Sequence, residues 1–112
     1  MKGVFVTATD TGVGKTFFSC GLARLLKNNN INLGVMKPFA SGSREDCILL
    51  KKASKVKDEI NLINPLYFKK PLAPYPASKI EKRHIDVNKI FKIYGILRKK
   101  HDYLIVEGIG GI

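Results

Sequence analysis

The stretch from Val4 to Phe17, VFVTATDTGVGKTF, restricts the fold of this 112-residue chain more than any other part of it. Val4, Phe5 and Val6 make a short apolar run without alternation, the pattern expected of a strand buried on both faces of a parallel sheet. Thr9 to Gly14 supply a tight, permissive turn. Phe18, Leu22, Leu25 and Leu26 then recur near helical spacing, so the turn opens onto a helix N-terminus. Unpaired backbone N–H groups and the helix dipole both favour an anion there. Gly14-Lys15-Thr16 at that junction has the residue types of a phosphate loop: glycine for close backbone approach, lysine for the β and γ phosphates, a hydroxyl for Mg²⁺. Thr9 stands where the full pattern has its first glycine, and Ala8 precedes it. A bare GKT tripeptide is common by chance, with a solvated lysine on a glycine turn as the plain alternative. The flanking strand and helix decide for the phosphate loop, because they are the context the mechanism needs.

Read in order, the first helix is expected to end near Asn28-Asn29-Asn30, a turn-forming cluster. Leu33 to Met36 is a second apolar strand, closed by Lys37-Pro38. Strand, helix and strand make a right-handed βαβ unit, which puts the glycine turn and Lys37 at one sheet edge, where open α/β sheets bind ligands. Ala40-Ser41-Gly42-Ser43 reads as a flexible polar loop, and Asp46 as the cap of a short helix around Ile48, Leu49 and Leu50. Asn64-Pro65 and the run Pro71 to Pro76 read as an irregular crossover without regular structure. A further helix starts at Asp86 with Val87, Ile90, Phe91, Tyr94 and Leu97 on its apolar face. Tyr103 to Val106 is the third strand, ending at Glu107-Gly108-Ile109-Gly110-Gly111. The expected class is α/β: a doubly wound parallel sheet of the P-loop NTPase type, truncated after its third strand, with residues 1–112 the N-terminal part of one ATP-binding domain.

Composition enters where it excludes alternatives. No run approaches the roughly 18 consecutive apolar residues of a membrane span. Met1-Lys2-Gly3 leads straight into the first strand with no room for a signal peptide, so the expected location is cytoplasmic. Cys20 and Cys47 lack a metal-site spacing, are expected to be reduced, and receive no role. The net charge of +11 suits an anionic ligand and could advertise nucleic-acid binding. The basic residues, however, come in scattered pairs such as Lys51-Lys52, Lys69-Lys70 and Lys99-Lys100, which read as solvated faces rather than a nucleic-acid footprint.

An apolar strand ending in an acidic residue is the second half of a phosphate-loop site, because that carboxylate lies beside the loop and can hold Mg²⁺. Glu107 is the candidate, and the glycines after it permit close backbone approach. A solvated carboxylate at a sheet edge is the ordinary alternative; the pairing with Gly14-Lys15-Thr16 is what selects the functional reading.

Thr9-Asp10-Thr11 with Val13-Gly14-Lys15-Thr16, then Lys37-Pro38 with Ala40-Ser41-Gly42-Ser43, then Val106-Glu107-Gly108 with Gly110-Gly111, resemble the dethiobiotin synthetase family in order and spacing. Asn64-Pro65 and Ala73-Pro74 resemble its crossover. The resemblance implies an ATP- and Mg-dependent ring closure. CO₂ joins an amine of 7,8-diaminopelargonate, ATP phosphorylates the carbamate, and the second amine displaces phosphate to form a cyclic urea. It further implies that Gly12, Val13, Gly14, Lys15, Thr16 and Phe17 wrap the ATP phosphates. Thr16, Asp46 and Glu107 would hold Mg²⁺, with Glu107, Gly108, Ile109 and Gly110 also lining the ATP site. Lys37 is the implied active-site lysine, Lys15 steadies the transferred group, and Thr11 and Ser41 contact the diamine or carbamate. A homodimer is implied for the complete enzyme. Ala8 departs from a common family glycine and Gly12 from a common acidic residue. Two other readings stand beside this one: another P-loop enzyme such as a cobalamin-pathway amidoligase, and a partitioning-type ATPase that binds DNA. The second is opposed by Asp10, which stands where those ATPases carry their signature lysine.

Overall fold

A computed structural model describes residues 2–6, 14–69 and 86–108. In chain order these form β1 (Lys2–Val6), α1 (Gly14–Asn28), β2 (Leu33–Met36), β3 (Phe39–Ser41), α2 (Glu45–Ser54), α3 (Ile60–Ile63), β4 (Leu66–Phe68), α4 (Val87–Lys100) and β5 (Tyr103–Glu107). The proline run from Pro71 to Pro76 lies outside the described residues.

The main sheet is parallel, in the order β1-β5-β2, so the last strand in the chain inserts between the first two. Val6 is level with Glu107 and Met36 with Val106, which brings the three C-terminal strand ends to one edge. The structure is α/β with a parallel sheet, as the sequence predicts.

Side-chain alternation assigns the two faces. Val6, Val35, Leu33 and Ile105 pack with Cys20 and Ala23 of α1 and with Leu50 and Ala53 of α2. Met36 and Leu104 pack on the other face with Ile93 and Leu97 of α4. The helices therefore lie on opposite sides of the sheet, the doubly wound arrangement.

Several details depart from the expectations. Ala40-Ser41 is not loop, and Leu66 to Phe68 is not irregular: they belong to β3 and β4, a second parallel pair with Phe39 opposite Leu66 and Ser41 opposite Phe68. The reason is backbone pairing across Pro38, whose carbonyl accepts from Leu66 N–H at 3.0 Å, while the tilted rings of Phe39 and Phe68 pack with centroids 5.6 Å apart. The strand β1 is not buried on both faces: Val6 is buried, but Phe5 on the α4 side is 63% exposed. Of the expected stripe on α1, Leu22 and Leu26 pack partly buried against the core, whereas Phe18 and Leu25 are exposed, and the fully buried positions are Thr16, Ser19, Cys20 and Ala23. Small residues at those positions let α1 approach the sheet and α2 closely. The helix α4 likewise buries Ile93 and Leu97, whereas Val87, Phe91 and Tyr94 of the expected face are exposed.

Helix ends follow their local chemistry. Asp86 accepts from Lys89 N–H at 3.0 Å and caps α4 as read from the sequence. After α1, Asn30 takes a left-handed φ of 60°, which asparagine tolerates. Asp46 does not cap α2: the residue before the helix is Arg44, and Ser43 Oγ accepts from Glu45 N–H at 3.0 Å.

Candidate active site

Parallel strand register and the start of α1 converge on one spot. Glu107 ends β5 in the middle of the sheet, between the C-terminal ends of β1 and β2. Thr16 sits in the first turn of α1, and Lys37 immediately follows β2. The Thr16 hydroxyl donates to Glu107 Oε1 at 2.9 Å, and Lys37 Nζ donates to the same oxygen at 3.1 Å. Residues 91 and 70 positions apart in sequence thus meet on one carboxylate atom. Lys15 Nζ donates to the Gly108 carbonyl at 2.7 Å, which ties the start of α1 to the turn after β5.

The electrostatics of this cluster are unbalanced by design of its burial. Glu107 is 1% exposed and the Lys37 side chain 12%, so their ion pair is largely shielded from water. Such a pair recovers its desolvation only when the remaining lone pairs are also satisfied. Among the described residues they are not: Glu107 Oε2 is buried with no hydrogen-bond partner there. Burial pulls the Lys15 pKa below its ordinary value and the Lys37 charge adds to that, while Glu107 and Asp46 act in the opposite sense. Two lysines within electrostatic reach of each other form a site that an anion would relieve.

The unpartnered Glu107 oxygen beside a threonine hydroxyl is a hard oxygen donor set suited to a hard divalent cation. Thr16 and Glu107 fit that role together. Asp46 lies in the first turn of α2, exposed, and its charge reaches Lys15 and Cys20. No group of three or more His, Cys, Asp or Glu side chains gathers for a metal among the described residues.

The other sequence-derived candidates fall in three places. Gly14 opens α1 with open space around its Cα, and Phe17 on the same turn is 84% exposed. Ser41 ends β3 in the second sheet, half-buried. Thr11, Gly12, Val13, Ile109 and Gly110 lie outside the described residues.

One supporting residue escapes motif reading. Asn64 is fully buried, and its Nδ2 donates to the carbonyls of Lys37 at 2.9 Å and Leu66 at 3.1 Å. Its Oδ1 accepts from Arg44 Nε at 3.0 Å. Asn64 therefore clamps the backbone that carries Lys37. Asn64-Pro65 was visible only as a turn signal, because a side chain that bonds carbonyls leaves no spacing pattern. Cys20 and Cys47 are buried free thiols, as expected of reduced cysteines.

The family described as AAA domain matches residues 2–112. The chain is 50% identical over 117 residues to the ATP-dependent dethiobiotin synthetase BioD of Bacillus subtilis (strain 168), covering all of this chain and 51% of that protein. The synthetase of the same name from Bacillus licheniformis is 46% identical over 117 residues, covering all of this chain and 50% of its own length. That from Endomicrobium trichonymphae is 44% identical over 115 residues, covering 99% and 53%. The chain spans about half the length of these curated relatives.

Proposed function

The chain belongs to the AAA domain family, and from that premise we propose that it carries the ATP-binding and phosphoryl-transfer half of a dethiobiotin synthetase. The observation that carries the proposal is the convergence of Thr16 and Lys37 on the buried Glu107 carboxylate at the sheet edge.

In this reading an amine of 7,8-diaminopelargonate adds to CO₂ and loses a proton, giving a carbamate. A carbamate oxygen attacks the γ phosphorus of ATP in line, and the bond to the β-γ bridging oxygen breaks to release ADP. The second amine then attacks the carbamoyl carbon and expels phosphate, closing the cyclic urea. The protein's part in such a transfer is positioning and charge neutralisation. Lys15 meets the β and γ phosphates from the start of α1, with the backbone of Gly12 to Phe17 around them. Lys37 neutralises the carbamate and the phosphoryl group in flight, held in place by Glu107 and by the Asn64 clamp on its backbone. Thr11 and Ser41 contact the diamine. Thr16 and Glu107, with Asp46, would hold Mg²⁺, which supplies charge neutralisation on the phosphate oxygens. Glu107, Gly108, Ile109 and Gly110 line the nucleotide. A homodimer of the complete enzyme and a cytoplasmic location belong to the same reading; no helix among the described residues is long and apolar enough to cross a membrane.

The test uses this chain continued, as one polypeptide, into the remainder of the Bacillus subtilis synthetase. Phosphate release is expected only when ATP, 7,8-diaminopelargonate and bicarbonate are all present. Lys37→Met should abolish release while leaving ATP affinity within a few-fold, because Lys37 acts on the transferred group and Lys15 on bound nucleotide. Release that needs glutamine instead of the diamine would assign an amidoligase, and release stimulated by DNA would assign a partitioning ATPase.

A further inference from the structure

Lys37 is fixed at both ends. Its Nζ donates to Glu107 Oε1 at 3.1 Å. At its root, the Lys37 N–H donates to the Ile63 carbonyl at 2.8 Å and the Lys37 carbonyl accepts from Asn64 Nδ2 at 2.9 Å. The next residue, Pro38, has no N–H to offer. The backbone that leaves β2 is thus placed by the end of α3, and by Asn64 in particular.

Arg44 decides which way the Asn64 amide points. Asn64 is fully buried, so each of its polar atoms needs a partner. Its Nδ2 faces the carbonyls of Lys37 and Leu66 at 2.9 and 3.1 Å, and its Oδ1 faces Arg44 Nε at 3.0 Å. A guanidinium only donates and a carbonyl only accepts. Turning the amide over would set its oxygen against two carbonyls and its NH₂ against a cation, so Arg44 permits one orientation. The same guanidinium donates from Nη2 to the Asn64 carbonyl at 3.1 Å and to Asn61 Oδ1 at 3.0 Å, and its carbon lies 5.0 Å from the centre of the Tyr67 ring. A planar fork held by three oxygens and an aromatic face is pre-organised in a way that a lysine cannot reproduce.

We propose that Arg44 is a positioning residue for phosphoryl transfer: by orienting the Asn64 amide it sets the backbone of Lys37, and with it the place of the lysine charge, while making no contact with nucleotide. This role rests on the function proposed for Lys37, and the two are separated by a measurement that needs no turnover.

The parent is this chain continued, as one polypeptide, into the remainder of the Bacillus subtilis synthetase, and each variant is assayed well below its unfolding midpoint. In Arg44→Ala, kcat for phosphate release is expected to fall at least about tenfold, because a displacement on the order of 1 Å at a reacting group is costly, while KM for ATP stays within about twofold. Arg44→Lys should lose nearly as much, since it keeps the charge but not the fork. Guanidinium chloride at millimolar concentration should restore part of the rate to Arg44→Ala by entering the cleft lined by Arg44, Asn61 and Tyr67, and equimolar urea should not. Asn61→Ala removes only the exposed arm of the fork and should leave kcat within about twofold. The second readout is acetylation of the largely buried Lys37 by acetic anhydride without nucleotide, followed by mass spectrometry against the exposed Lys99. It should run at least about fivefold faster in Arg44→Ala than in the parent, as for a side chain released from its fixed place. Unchanged Lys37 acetylation would overturn the proposal whatever the turnover, as would an unchanged kcat, or a loss of kcat matched by an equal rise in KM for ATP. A parent that releases no phosphate would remove the function assigned to Lys37, with acetylation still deciding whether Arg44 places it.

Discussion

Glu107 serves two neighbours, Thr16 and Lys37, with one carboxylate, and its two oxygens are treated unequally. Oε1 accepts from both Thr16 and Lys37, while Oε2 is buried and has no partner among the described residues. Removing the lysine charge leaves a buried carboxylate without its ion partner, which is far costlier than the net value of the pair. Lys37→Met is therefore expected to destabilise the chain by about 3 kcal/mol in urea unfolding. The double variant Lys37→Met, Glu107→Gln should recover most of that loss; a double variant no more stable than the single one would show that the pair does not act as a unit. Nearby, burial pushes the Cys47 thiol up to about 11 against the charges of Lys37 and Arg44. Cys47 should then resist maleimide at mildly alkaline pH while the chain is folded and react promptly in urea; rapid labelling of folded protein would contradict its burial. The residues that touch each other in the site were legible from the sequence wherever a motif fixes their place: Lys15 and Thr16 after the glycine turn, Glu107 at the end of an apolar strand. Asn64 was not, since it works through backbone carbonyls. Asp46 is not a cap: it lies inside the first turn of α2, whose N-cap residue Arg44 makes no side-chain cap bond, and Ser43 Oγ accepts locally from Glu45 N–H.

At the level of elements, strand positions were readable because short apolar runs bounded by turn residues leave few choices, as with Leu33 to Met36. Helix faces were legible only in part: Leu22 and Leu26 of α1 and Ile90 and Leu97 of α4 do pack on the core. Apolar spacing in α1 pointed to Phe18 and Leu25, whereas close packing against sheet and α2 selected Ser19, Cys20 and Ala23, whose small side chains admit the contact. The short strands β3 and β4 were hidden because three residues carry no periodicity of their own and Pro65 reads as a breaker. What joins elements at the opposite end of the sheet is a polar staple that no motif announces. Asp58, 3% exposed, accepts from Lys100 Nζ and, at 2.6 Å, from His101 Nε2, fastening the end of α4 to the segment between α2 and α3. Burial alone would raise the Asp58 pKa, but the hydrogen bonds and charges of Lys100 and His101 outweigh it and hold the carboxyl below its ordinary 3.8. A carboxyl depressed in the folded state contributes stability above its unfolded pKa and loses it as pH falls through the folded value. Unfolding midpoints should accordingly drop as pH falls below about 4, and Asp58→Asn should flatten that dependence while lowering stability at neutral pH. An unchanged acid profile in the variant would mean the staple is not what titrates.

Across the whole molecule, the charge of +11 has to be reconciled with a fold whose basic residues are dispersed. Lys51 and Lys52 lie in the last turn of α2, on the α1 side of the sheet, while Arg98, Lys99 and Lys100 lie in the last turn of α4, on the opposite side. Lys100 is already engaged by Asp58, and Lys15 and Lys37 face the sheet edge at Gly108 and Glu107. A duplex approaching either face meets only part of the positive charge, and each neutralised phosphate adds about −0.9 to the slope of log affinity against log salt. Anisotropy titrations with a labelled duplex should therefore give a slope shallower than about −3 and weak binding near physiological salt. In the proposed site a concentrated anion such as a nucleotide triphosphate would meet the opposite situation, because two lysines within electrostatic reach of each other would serve one small ligand. Its affinity should depend on Lys15 and fall far less steeply with salt than binding spread over many phosphates. A DNA slope near −6 or steeper, unaffected by Lys15→Ala, would instead mean that the scattered lysines act together as a footprint.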